Sequence, residues 1–269
     1  MEKTIGFIGC GNIAKSMIGG MMKGGRVQPS QIIASNLSEE NLIEVEQLYG
    51  IRTTLNNSEV AREADFIFLT VPQSTYATVV EEIKDDIQDD AVVIIVAAGE
   101  SIRKNEERLG RPLKVVKAMP NTPSLVGEGV TGVAVNDYVT PEDKMEVREV
   151  FESFGRMEFV DESLMDVVTA IGGSSPAYVY MFIEALADGA VRHGMSREKA
   201  YTIAAQSVLG AAKMVLETGA HPGQLKDDVC SPNGTTIESV ALLEEKGIRS
   251  AVIEAVRVNI EKSKKVKGE

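Results

Sequence analysis

Along the first half of the chain, short apolar runs alternate with longer stretches whose apolar positions recur every three or four residues. The runs are "TIGFIG" (4–9), "QIIAS" (31–35), "DFIFLTV" (65–71), "AVVIIVAA" (91–98) and "LKVVKAM" (113–119). Each is short and apolar throughout rather than alternating, which predicts strands buried on both faces. The stretches "NIAKSMIGGMMKGG", "SEENLIEVEQLYG" and "STYATVVEEIKDD" between them have helical spacing. This succession predicts an α/β fold with a doubly wound parallel sheet. Two further strands, "GVTGVAV" (129–135) and "RMEFV" (156–160), flank "TPEDKMEVREVFESFG", which is expected to be a helix capped by Thr140 with Pro141 at its first position.

Near residue 161 the pattern changes to long Ala-rich helical stretches. In "SPAYVYMFIEALADGAVRHG", Ser175 is the expected cap, Pro176 lies in the first turn and Gly194 is the stop. The stretch is apolar on nearly every side, so burial is expected. "SREKAYTIAAQSVLGAAKMVLETG" and "TTIESVALLEEKG" follow. Helices with so few polar faces are expected to complete their core against a second copy, a compact monomer being the alternative. The expected domains are 1–160 and 161–269.

Composition narrows the function. A chain of 269 residues, 43% hydrophobic and 25% charged, suits a globular protein of two ordinary domains. No apolar run approaches the roughly 18 residues of a membrane span. Met1-Glu2-Lys3-Thr4 leads straight into a strand-like run with no sign of a signal peptide, so a cytoplasmic location is expected. Cys10 and Cys230 lack metal-site spacing and read as free thiols, and no metal is expected. A net charge of −12 argues against a nucleic-acid partner, and the basic tail "KSKKVK" reads as a solvated terminus.

The first strand runs into Gly9-Cys10-Gly11-Asn12-Ile13-Ala14, which fits GxGxxG/A between strand and helix. There Gly9 makes the turn after Ile8, Gly11 admits a pyrophosphate and Ala14 keeps the helix close to the sheet; the helix N-terminus faces the anion. A dinucleotide site is expected. The second strand ends in Ser35-Asn36-Leu37-Ser38, without the acid that would bind the ribose 2′-hydroxyl of NAD. Ser35 and Asn36 could donate to a 2′-phosphate instead, which favours NADPH over NADH.

Ligands of doubly wound sheets sit beyond the carboxyl ends of the strands. The loops "VPQS" (71–74), "AAGES" (97–101) and "MPNTPS" (119–124) should therefore surround the nicotinamide. Pro120 and Pro123 are expected to fix a rigid loop without hydrogen bonds, with Asn121 and Thr122 pointing into the crevice. Asn57, Thr70, Val71, Pro72, Ala97, Ala98 and Gly99 complete the expected cofactor-binding set.

"GFIGCGNIA", "AAGES", "MPNTPSLVGEG", "GGSSPAYVYMFIEALADGAV" and "HPGQLKDDVCSPNGTTIESV", in this order and spacing, closely resemble the pyrroline-5-carboxylate reductase family over essentially the whole chain. "MPNTP" and "SPNGTT" are specific to that family. The resemblance implies a Rossmann domain followed by a helical dimerisation domain, and reduction of a cyclic imine to proline, the last step of proline biosynthesis, with NAD(P)H. Such chemistry needs a positioned nicotinamide, a carboxylate site and a proton for nitrogen. The segment Ser231–Thr236 opens a helix and makes a suitable carboxylate cradle. By resemblance, Asn233, Gly234, Thr235 and Thr236 bind the pyrroline carboxylate beside the helix start at Ser174 and Ser175, and Thr169 lies near the imine nitrogen. The proton comes from Thr169 or, preferably, from a water that it orients.

Three positions depart from the family's usual pattern: Val71-Pro72-Gln73 lacks the lysine of Val-Lys-Pro, Gly172-Gly173-Ser174-Ser175-Pro176 replaces Ser-Gly-Ser-Gly-Pro, and Leu37 stands where many members are basic. His193, at a helix end, and His221, in a turn, read as structural. Glu184 and Asp188 read as a cap or an inter-helix bond, and Lys213 as a snorkelling surface lysine. A β-hydroxyacid dehydrogenase using Lys213 is the alternative enzyme, and a nucleotide-binding regulatory paralogue the non-catalytic alternative.

Overall fold

Six strands pair in parallel in the order β3-β2-β1-β4-β5-β6: β1 (Ile5–Ile8), β2 (Ile32–Ser35), β3 (Arg52–Thr54), β4 (Phe66–Leu69), β5 (Val92–Ile95) and β6 (Lys114–Met119). β7 (Gly129–Val135) joins β6 antiparallel, and β8 (Gly155–Phe159) joins β7 in parallel. These assignments come from a computed structural model, which describes residues 3–97 and 99–267. Every residue of β1, β2, β4 and β5 is buried, as expected for strands covered on both faces.

Successive side chains of each strand enter opposite cores. On one face, Phe7 and Phe68 stack with ring centroids 4.8 Å apart, and Phe151 and Phe154 continue the aromatic row. Met17, Ile18 and Met21 of α1 (Asn12–Gly24) and Leu42 and Val45 of α2 (Glu39–Tyr49) join this cluster. Ile8, Ile67 and Ile95 face the other way, against α3 (Asn57–Glu63), α4 (Gln73–Ile83) and α5 (Ile102–Leu109). Burying one such aromatic or aliphatic side chain is worth about 1.5–3 kcal/mol.

α6 (Pro141–Glu152) begins as read from the sequence: Thr140 accepts from Asp143 N–H, and the Asp143 carboxylate accepts from Thr140 N–H in return. The expected loop after β6 is in fact a turn of 3₁₀ helix, Thr122–Val126, with Ser124 N–H donating to Asn121 C=O. Proline at the start of a helical turn forfeits no bond, so Pro123 is compatible with it.

Cα packing divides the chain into Met1–Gly173 with Ile260–Glu269, and Ser174–Asn259. The break falls after Gly173 rather than after residue 160 because α7 (Met165–Val168) and the π-helical turn Thr169–Gly173 pack with the sheet: Met165 is buried in the second core, and Ala170 is fully buried. The second unit holds α8 (Ser175–Arg192), α9 (Arg197–Thr218), α10 (Pro222–Val229), α11 (Thr235–Glu245) and the start of α12 (Ile248–Lys267). The cap position of α8 is Ser174, not Ser175, and its side chain makes no capping bond; it accepts instead from Asn259 Nδ2 at 2.9 Å. The apolar surface of α8 is not buried within one chain: Tyr180 is 60% and Met181 68% exposed, and Ala187 is its single buried residue.

Candidate active site

Gly9 sits at φ +95°, and a Cβ there would stand 2.9 Å from the Thr70 backbone, so the turn after β1 requires glycine on both counts. Its N–H donates to Ser35 C=O at 2.9 Å, tying the loop to β2. Gly11 differs: it is exposed, its backbone is extended, and a Cβ would meet nothing within 4 Å. Nothing in the fold itself requires glycine at that position. Gly11 is also the cap residue of α1, whose first turn has no side-chain cap and no acid among the described residues. The amides of Asn12 and Ile13 are thus left for an anion, while Ala14 is fully buried under the helix. These features fit a dinucleotide pyrophosphate.

Beyond Gly9 lies a cavity of about 240 Å³ at the carboxyl end of β2. Of the expected residues, Gly9, Asn36, Asn57 and Val71 line it. Asn36 Oδ1 accepts from Cys10 N–H at 3.1 Å and Nδ2 donates to Ser38 C=O at 3.1 Å, which fixes the loop. Ser35 corrects the sequence reading: it is fully buried and its hydroxyl donates to Asn57 Oδ1 at 2.7 Å, so it offers no donor to a ligand. Leu37, 92% exposed, and Thr75, Thr78, Val79 and Glu82 of α4 complete the wall. Helical periodicity indicates α4, but sequence separation hides that this face of it closes a cavity opposite β2. Cys10 is buried, which pushes its thiol up to about 11 and keeps it neutral.

At the ends of β4 and β5, Thr70 Oγ1 donates to the Ile8 carbonyl at 3.1 Å, and Pro72 is the exposed cap residue of α4. Ala97 is half-buried, and Gly99, at φ +80°, lies under the Gln73 side chain. Ala98 lies outside the described residues. Asn121 is buried and does not point into the crevice: Nδ2 donates to Gly172 C=O at 2.9 Å and Oδ1 accepts from Val130 N–H at 3.0 Å. It is an internal clamp between the segment after β6, β7 and the turn that carries Thr169. Pro120 is buried and Thr122 exposed. Thr169 is half-buried and opens the π-helical turn, and its hydroxyl donates to Met165 C=O at 2.8 Å. The proton is therefore committed to the backbone, while the oxygen still accepts.

In the helical unit, Asn233 is the one non-glycine residue with positive φ, +58°, among those described, followed by Gly234 at the cap position of α11. Gly234 N–H closes a turn on Ser231 C=O at 3.0 Å. Thr235 is exposed and Thr236 half-buried in the first turn, and α11 has no side-chain cap among the described residues. Backbone turned into the left-handed region ahead of an uncapped helix start makes a donor-rich concavity.

A family model described as pyrroline-5-carboxylate reductase dimerisation matches residues 162–266, and one described as NADP oxidoreductase coenzyme F420-dependent matches residues 4–99. The pyrroline-5-carboxylate reductase of Escherichia coli (strain K12) is 49% identical over 99% of this chain and 99% of that protein. The chain belongs to the pyrroline-5-carboxylate reductase family. The structure of a pyrroline-5-carboxylate reductase from Coxiella burnetii superposes with a TM-score of 0.90 at 33% identity, covering 98% of both chains. The Plasmodium falciparum pyrroline carboxylate reductase, solved with NADP bound, gives 0.87 at 33% identity over 100% of both. Like other members of the pyrroline-5-carboxylate reductase family, the chain joins a Rossmann-type sheet to a helical self-association region and is an NAD(P)H-dependent oxidoreductase.

Three of the other polar candidates, His193, His221 and Asp188, have local partners. His193 Nδ1 lies 2.9 Å from Gly189 C=O, and His221 caps α10 by accepting from Gly223 N–H. Asp188 pairs with Arg197 across the α8–α9 corner, and Lys213 is exposed. No helix among the described residues is long and apolar enough to cross a membrane, and no cluster of three or more metal-ligating side chains occurs among them.

Proposed function

We propose that this chain reduces 1-pyrroline-5-carboxylate to L-proline, with the loop Gly9–Ala14 holding the dinucleotide, Thr169 facing the imine nitrogen and the segment Asn233–Thr236, with Ser174 and Ser175, holding the substrate carboxylate. The observation that carries the reading is Gly11, a glycine the fold does not need, placed at an uncapped helix start in a chain of this family. When bound, the nicotinamide supplies hydride to the carbon of the C=N bond. The residues contribute position and charge. Amides at the start of α1 stabilise the pyrophosphate, and the Asn233–Thr236 turn stabilises the carboxylate. Thr169, its proton held by Met165 C=O, accepts a hydrogen bond from a water and so aims it at the nitrogen. Asn121 holds the Gly172 carbonyl and with it the turn on which Thr169 stands. NADPH is the preferred cofactor in this reading, because β2 ends without an acid; Asn36 Nδ2 remains as a donor. The partners are a small cyclic imine and a second copy of the chain through residues 161–269, in the cytoplasm, without nucleic acid or membrane.

Oxidation of NADPH and NADH followed with pyrroline-5-carboxylate, and reduction of NAD(P)⁺ with a panel of hydroxyacids, tests this. Turnover with the imine and none with hydroxyacids is expected. Turnover with a hydroxyacid alone would favour dehydrogenase chemistry, and cofactor binding without turnover a regulatory protein.

A further inference from the structure

Glu82 is the one carboxylate in the cavity at the end of β2, and the cofactor reading above leaves it unused. It reaches from α4, and its Oε2 accepts from Asn57 Nδ2 at 3.1 Å. Asn57 Oδ1 in turn accepts the hydroxyl proton of Ser35 at 2.7 Å. Gly9, Asn36, Asn57 and Glu82 line the same space. A hydroxyl can donate or accept and an amide can present either end, so a serine–asparagine pair alone has two arrangements. An ionised carboxylate only accepts. Its contact with Asn57 turns the amide nitrogen to Glu82, leaves Oδ1 for Ser35 and commits the serine proton to that oxygen. The second Nδ2 hydrogen is then what Asn57 has to offer a ligand.

We propose that Glu82 is a positioning residue: it holds Asn57 in the orientation that donates to a phosphate on the 2′ oxygen of the cofactor's adenosine ribose. The inference rests on the reading of this cavity as the ribose site. It explains how a phosphorylated ribose is recognised where β2 supplies neither arginine nor a free serine hydroxyl. Donation to a charged acceptor is stronger than donation to a hydroxyl, so the orientation matters more for the phosphorylated ribose. The charge of Glu82 would act in the opposite sense by repelling the phosphate, and removing the carboxylate separates the two effects.

Isothermal titration with 2′,5′-ADP and 5′-AMP, which carry the ribose with and without that phosphate, reads the effect without turnover. Glu82→Ala should weaken 2′,5′-ADP about fivefold, within what one hydrogen bond to a charged group supplies, while 5′-AMP affinity and the thermal midpoint stay nearly unchanged. Glu82→Gln, which keeps an acceptor oxygen, should stay within about twofold of the parent. In an Asn57→Ala background, Glu82→Ala should have no further effect. 2′,5′-ADP binding tighter than the parent in Glu82→Ala, or more than about twofold tighter in Glu82→Gln, would overturn the proposal in favour of charge repulsion. Equal weakening of both nucleotides, or a loss that persists without Asn57, would overturn it in favour of a structural role. Failure of both nucleotides to bind the parent chain would overturn the ribose site and the proposal together. The expected pattern in a chain that fails to reduce the imine would support the proposal and count against the activity alone.

Discussion

Gly9 and Gly11 stand two residues apart and answer to different constraints. Gly9 serves the fold, through its positive φ and its contact with Thr70, so Gly9→Ala should lower the thermal midpoint as well as cofactor affinity. Gly11 has open space around it, so Gly11→Val should leave the midpoint within a degree or so and abolish NADPH binding by blocking the pyrophosphate. Unchanged NADPH affinity in a titration of the folded Gly11→Val chain would remove the loop from the site. Ser124 makes a second contrast: it is fully buried and its hydroxyl has no partner among the described residues. Ser124→Ala should leave stability unchanged or raise it by up to about 1 kcal/mol, since an unpaired buried hydroxyl is a cost; a chemical-denaturation loss above that would contradict it. At this scale the loop glycines were legible because their spacing encodes a backbone shape. The roles of Ser35 and Asn121 are hidden, because sequence shows a polar residue at a strand end but not the neighbour that uses its hydrogen bonds.

Elements with their own local signals are legible in the chain. β1, β2, β4 and β5 appear as continuous apolar runs, and α6 as a Thr-Pro start. β3 and α5 carry no such signal: Arg52–Thr54 is a partly exposed edge strand, and in α5 only Ile102, Asn105 and Leu109 are buried. The start of α6 also sets a pH dependence. Burial opposes the charge of Asp143, but hydrogen bonds from Lys114 and Thr140 outweigh it and hold the carboxyl below its ordinary 3.8. A depressed folded value means that the stabilisation is complete above the unfolded pKa and is lost as pH falls through the folded one. Asp143→Asn should therefore cost about 1 kcal/mol near neutral pH, with the difference from the parent shrinking towards zero as pH falls below 3.8 and through the depressed folded value. Urea midpoints measured across that range check it; a difference constant with pH would show that the charge contributes nothing.

The whole molecule separates a sheet domain with two closed cores from a helical unit whose apolar residues face outward in a single chain. Tyr180, Met181, Ile203 and Leu216 are each at least half exposed, a distribution that a lone soluble domain avoids. Their surface belongs to the region matched by the dimerisation model. Met181→Asp, on α8, should shift sedimentation towards monomer and lower the thermal midpoint, because a charge would be buried between copies. An unchanged oligomer would place the interface elsewhere. Sequence made the apolar excess visible, but not where the packing break falls, since Met165 and Ala170 continue the sheet's core without any change of composition. The central claim is that the dinucleotide held by the loop Gly9–Ala14 delivers hydride to the carbon of a carbon–nitrogen double bond, with Thr169 aiming the proton donor at the nitrogen. The most direct test is transfer from [4,4-²H₂]NADPH, labelled at both C4 positions, to pyrroline-5-carboxylate in ordinary water, with the product read by mass spectrometry and NMR. The expected result is proline carrying one deuterium on the ring carbon that was part of the C=N bond; proline without deuterium, or cofactor oxidised without proline, would contradict it.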